Sequence, residues 1–190
     1  MENRPAVLRD LGTVCGCTVD HSSRSSLAVV FSVAGCAPPA PSPAATTTTF
    51  ASDEEAFAAA EETYRGYIAA FNDVDLTKPE TFAPVFVFTT ESYSADERRQ
   101  LSEMHAEGYV RGGDIVVVSF DPLTATEETV TARACTDTSQ TTFTDAHGVS
   151  LVPPDRPDHV YVELTFTSST PAALLDTSEV VTGESCAPSE

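Results

Sequence analysis

The spacing of apolar residues changes once along this chain, near residue 109, and that change limits the folds open to it. Before it, Phe57, Ala60, Tyr64, Tyr67, Ile68 and Phe71 recur at intervals of three and four, which is the stripe of one helix face. After it, Val160, Val162, Leu164 and Phe166 alternate with His159, Tyr161, Glu163 and Thr165, the two-residue period of a strand with one face buried. Helices followed by strands is an α+β order. The alternation predicts an antiparallel sheet of about four long strands, covered on one face by the helices.

The punctuation agrees with that reading. Ser52 with Glu55 forms a capping box, and Asp53, Glu54 and Glu55 place negative charge at the positive end of the helix dipole. The spacing predicts a first helix of about 20 residues, ending near Asn72-Asp73. Pro79 opens a shorter helix through Phe82, Val85, Phe86 and Phe88, with Pro84 placed to break it. Ser94-Ala-Asp-Glu97 reads as a second capping box, starting a third helix through Leu101 and Met104 to Gly108. Beyond it, Tyr109–Val110 and Ile115–Phe120 flank a turn or bulge at Gly112-Gly113. Residues 128–137 alternate with Val130, Ala132 and Ala134 on one side. Thr141–Thr144 and Val149–Val152 flank a predicted hairpin turn at Asp145–Gly148, and Ala173–Thr182 reads as the last strand.

The N-terminal part has a different character. Leu27-Ala-Val-Val-Phe-Ser-Val-Ala is a short apolar run leading into Val33-Ala34-Gly35-Cys36. These residues resemble the lipobox of bacterial lipoproteins, with Val33 where Leu is usual. The resemblance implies cleavage before Cys36, a diacylglyceryl group on its sulfur, and stable anchoring by two or three acyl chains. The competing reading is a chance Val-Ala-Gly-Cys in an apolar patch. Residues 1–35 are then a signal peptide; acids and cysteines within Met1–Asp20 point to a translation start nearer the apolar run. Residues 36–50, rich in Pro and Thr, form a tether reaching roughly 40 Å if extended. Residues 51–186 form the domain and 187–190 a tail. The protein is expected on the extracytoplasmic face of the cell membrane, held there by its lipid.

A formal charge of −19 repels nucleic acid and argues against it as a partner. The acidity serves solubility, or attracts cations or a basic partner. In an exported chain, Cys135 and Cys186 are most simply a disulfide, which would close a loop of about 50 residues; the alternative is two separate buried thiols. Cys15-x-Cys17 lacks the partners a metal site needs, and the four histidines show no ligand spacing. No metal and no cofactor is expected. Neither a nucleophile elbow, a Ser-x-x-Lys nor a phosphate-binding loop is present in the sequence.

Element order, helix lengths and strand patterning over residues 51–186 resemble the NTF2-like, SnoaL-type cone, which implies N-terminal helices packed on a curved antiparallel sheet of about four to five strands. Ser52-Asp-Glu-Glu-Ala-Phe, Tyr64-Arg-Gly-Tyr67, Met104-His-Ala and Pro154-Asp-Arg-Pro-Asp158 are similar to lipoproteins of high-GC Gram-positive bacteria that have no agreed activity. In the cone family the interior serves ends from isomerisation to partner binding. Tyr64, Tyr67 and His105 are pocket candidates by helix phase, against a reading as core residues. Pro153–His159 is a stiff polar loop, in which Asp155, Arg156, Asp158 and His159 are binding candidates. The plainer reading there is Arg156 pairing with an Asp and fixing the entry to the His159 strand. No catalytic residue is assigned.

Three function classes follow. The first is non-catalytic binding of a small apolar ligand or an envelope protein. The second is an isomerase-type enzyme using the cone, which needs an open pocket holding a carboxylate of raised pKa beside a Tyr. The third is a structural spacer, with neither pocket nor apolar patch.

Overall fold

The computed structural model describes residues 50–168, 172–184 and 186. The signal peptide, Cys36, nearly all of the tether and the tail lie outside the described residues. Helix α1 runs Asp53–Asn72, and the Ser52 hydroxyl accepts the Glu55 N–H, as the capping box requires. Its reciprocal bond goes one residue further out: Glu55 Oε2 accepts from Ala51 N–H. The predicted stripe is inward, with Ala60, Tyr64, Tyr67 and Ile68 buried and Phe57 and Phe71 partly so.

The chain then makes two 3₁₀ turns, Pro79–Thr81 and Ala83–Phe88, separated at Phe82. A proline in the first turn of each fits, because neither costs a needed N–H. Helix α2 runs Glu91–Ala106 and starts earlier than the sequence suggests. Its cap is Thr90, whose hydroxyl accepts from Tyr93 N–H. The Ser94 and Glu97 box is therefore corrected: both side chains are buried within the helix. The cause is tertiary. Thr90 N–H is held by Leu175 O, so the chain leaves the sheet edge there and turns straight into helix. The helix ends in a Schellman motif, Tyr109 N–H to Met104 O and Gly108 N–H to His105 O, with Gly108 at φ 72°.

Six strands follow: β1 Val110–Gly112, β2 Val116–Ala125, β3 Thr129–Asp137, β4 Thr142–Thr144, β5 His159–Thr167 and β6 Leu175–Val180. The main sheet is antiparallel, in the order β2-β3-β5-β6; β1 and β4 form a separate two-stranded ribbon. The predicted hairpin turn at Asp145–Gly148, between Thr141–Thr144 and Val149–Val152, is present, with Asp145 N–H bonded to Val149 O, Leu151 N–H to Phe143 O, and Gly148 at φ 79°, but its ladder is short. One bridge, Thr144 to Ser150, joins those segments, and β4 takes β1 as its partner. Val149 and Leu151 are exposed, and Pro153-Pro154 cannot extend a ladder. Strand β2 is longer than expected, because Pro122 lies on an edge strand and at a register shift, where a missing N–H is tolerated.

The architecture is α+β, with helices on one face of an antiparallel sheet. Val130, Ala132, Ala134, Val162, Leu164 and Phe166 point to that face and are buried. The Phe120 ring lies between Tyr64 of α1 and Phe166 of β5, at 6.3 Å from each centroid. Phe120 is partly buried, so it contributes less than the roughly 1.5–3 kcal/mol of a fully buried side chain of that size. On the other face Cys135 and Cys186 stand at disulfide distance, Cα atoms 5.8 Å apart, tying the C-terminal segment across the sheet.

Candidate functional site

One end of the domain is open. Here the last turn of α1, the second half of α2, the β1–β4 ribbon and the Pro153–Asp158 loop surround a cavity of about 310 Å³. Phe71, Leu76, Leu101, Met104, Ile115 and Phe143 form its apolar wall; Thr138, Thr141, Thr142 and Val152 complete it, with the guanidiniums of Arg111 and Arg156.

The positions of both arginines follow from local structure. Asn72, the last residue of α1, binds the β1–β2 connection: its side-chain oxygen accepts from Ile115 N–H and from Arg111, and its amide donates to Ile115 O. Arg111 also donates to Asn72 O and lies 4.8 Å from the centroid of the Phe71 ring. Burial pushes its pKa below the usual guanidinium value, against a smaller opposing effect of Asp114. Gly113 makes the bend after β1 with φ 73°, and a Cβ there would collide with Gln140 O. Arg156 donates to Thr141 Oγ1 at 2.7 Å and to Thr138 O at 2.7 Å. Asp158 O accepts from Thr138 N–H, so the loop is laced along residues 138–141.

Of the residues singled out from sequence, only Arg156 lines this cavity. It fixes the loop, as the plainer reading had it, but through threonine oxygens rather than an Asp. Asp155 and Asp158 are exposed. His159 lies 3.7 Å from Asp137, across the β3–β5 ladder. His105 Nδ1 is 2.7 Å from Leu76 O, at the surface of α2. Tyr64 is core, 2 % exposed. No group of three potential metal ligands occurs among the described residues.

Tyr67 belongs to a second, closed cluster. Its hydroxyl donates to Glu97 Oε1 at 2.6 Å and is 3.5 Å from the Tyr93 hydroxyl. Glu97 is 8 % exposed, and its Oε2 is buried without a hydrogen-bond partner. Burial raises its pKa, and the Tyr67 bond offsets part of that. Burial also raises Tyr67 and Tyr93. A raised carboxyl beside a Tyr is half of an isomerase-type site, yet neither residue lines the open cavity, where no carboxylate is found.

Sequence reasoning missed Arg111 and the apolar wall around it. The available signal was scarcity: few cations in an acidic chain, one of them next to Gly112-Gly113. Scanning the sequence against protein-family models gives no match, and neither does a search of curated proteins. Among solved structures, one similar to this chain is a candidate aromatic ring hydroxylase from Novosphingobium aromaticivorans. The likeness covers 68% of this chain and 92% of that one, at 12% identity and a TM-score of 0.48; no residue role is carried over from it.

Proposed function

We propose that the chain is a cell-envelope lipoprotein of NTF2-like type, moored outside the membrane through a lipid on Cys36, whose domain binds a small apolar ligand without transforming it. The observation that carries the binding reading is the composition of the cavity. Its wall is apolar with a few convergent polar groups, the usual make-up of a ligand site, and its volume lies at the small end of the usual range. None of its lining residues is a carboxylate, histidine, tyrosine or cysteine, so the threonine hydroxyls there have no general base among the lining residues to activate them.

The enzyme reading has one observation in its favour, the Glu97–Tyr67 pair, and neither member of that pair lines the cavity. Binding is tested by titrating the full chain with 2-acetonaphthone, a neutral bicyclic probe. The Cys36→Ala form is used, so that no acyl chain competes. Saturable binding is expected, lost when Met104→Trp fills the space. Absence of saturable binding, or binding that Met104→Trp leaves intact, contradicts the reading.

A further inference from the structure

The cations of this protein are not paired alike. Lys+Arg number 10 against 29 Asp+Glu, so carboxylate partners abound. Arg65, Lys78, Arg99 and Arg133 each take one or two. Among the described residues no carboxylate pairs with Arg98, Arg111 or Arg156. Arg98 lies over the Phe86 ring, outside the cavity lining. The other two line the same apolar cavity.

We propose that the ligand of this cavity is an apolar acid: a compact hydrophobic body bearing a carboxylate, which is received by Arg111 and Arg156. This rests on the reading of the cavity as a ligand site and adds the chemical class of the ligand. Every protein acceptor that these two guanidiniums use is neutral. Arg111 has the two oxygens of Asn72 and the face of Phe71; Arg156 has oxygens of Thr138 and Thr141. Such partners fix the orientation of a planar fork and leave its charge without a paired carboxylate; Asp114 acts on Arg111 only from beyond ion-pair distance. They also leave N–H donors over, since a guanidinium carries more of them than these bonds consume. A cation half-buried in an apolar wall gains from a counter-ion, because the part withdrawn from water is costly to leave unpaired. The depressed pKa of Arg111 is the same cost seen from the proton's side. A carboxylate entering the cavity supplies the missing charge, and its two oxygens match the fork. The body of the ligand meets Phe71, Leu101, Met104 and Phe143. A bicyclic aromatic acid or a medium-chain aliphatic one suits the 310 Å³ available.

The test compares 2-naphthoate with 2-acetonaphthone, which differ at the headgroup by a carboxylate against a methyl ketone. Both are titrated calorimetrically into the full chain carrying Cys36→Ala, at low ionic strength. Charge-assisted bonds predict naphthoate tighter by on the order of tenfold. Arg111→Gln and Arg156→Gln should each remove most of that preference. The comparison in the unsubstituted cavity needs no folded variant, and Arg156→Gln serves where Arg111→Gln loosens the end of α1. Equal affinity for the two probes overturns the acid proposal and leaves the cavity reading standing. Binding of neither overturns both. A preference for naphthoate that survives both Arg substitutions also overturns the assignment to these residues.

Discussion

Replacing Glu97 with Gln tests how the closed cluster is held together. In the folded protein one carboxylate oxygen takes the Tyr67 hydroxyl at 2.6 Å, and the other is buried with no partner. Leaving a buried polar oxygen unsatisfied costs about 1–3 kcal/mol, more when it is charged. Because the folded pKa is raised above the ordinary 4.5, the sign is fixed. The stability this group contributes is complete below the unfolded value and is lost as pH rises through the folded one. A neutral amide in its place carries no such dependence. The assay is thermal unfolding of both proteins from about pH 4 to about pH 8, read as the difference between their midpoints. Tyr67 and Tyr93, the titratable groups facing Glu97, are raised by burial and do not change charge in that window. The wild type should lose ground to Glu97→Gln as pH rises, by roughly 3–10 °C for a domain of this size. A difference that stays flat, or that moves toward the wild type with rising pH, refutes the argument. Tyr67→Phe should move the wild-type loss to higher pH, since its bond is what offsets the burial.

Reducing the Cys135–Cys186 bond, which closes a separation of 51 residues, should lower stability by about 4 kcal/mol on the chain-entropy view; an unchanged urea midpoint would contradict the pairing. Gly113→Ala forces φ 73° on an alanine and drives its Cβ into Gln140 O. A loss of about 1–3 kcal/mol or more is expected, and a neutral result would mean the bend after β1 is not fixed. Cys36→Ala should release the protein from the membrane fraction; retention there would contradict the lipid anchor.

Much of the framework was legible because it is periodic. The α1 stripe and the β5 alternation each report burial directly, one residue at a time. What misled was local chemistry overruled by distant contacts. Ser94 and Glu97 have the spacing of a capping box, yet Leu175, far along the chain, sets where α2 begins. The turn at Asp145–Gly148 was legible, but the exposed valine and leucine after it and the prolines beyond keep its returning arm to a single bridge. The cavity was the least legible part. Phe71, Met104, Arg111, Phe143 and Arg156 come from five segments, and no spacing in the sequence announces that they meet. Only the stiffness of the Pro153–His159 loop gave a hint, and it led to one lining residue among four named.

Met104 offers the most direct test of the cavity as a ligand site. The chain has two methionines, Met1 and Met104, and cleavage before Cys36 or removal of Met1 leaves Met104 alone. Its methyl group, labelled with ¹³C, reports from the cavity wall. Titration with 2-naphthoate should shift that single resonance saturably, through the ring current of a bound aromatic body. A Met104 methyl signal that stays fixed while the probe binds would place the ligand elsewhere and contradict the account.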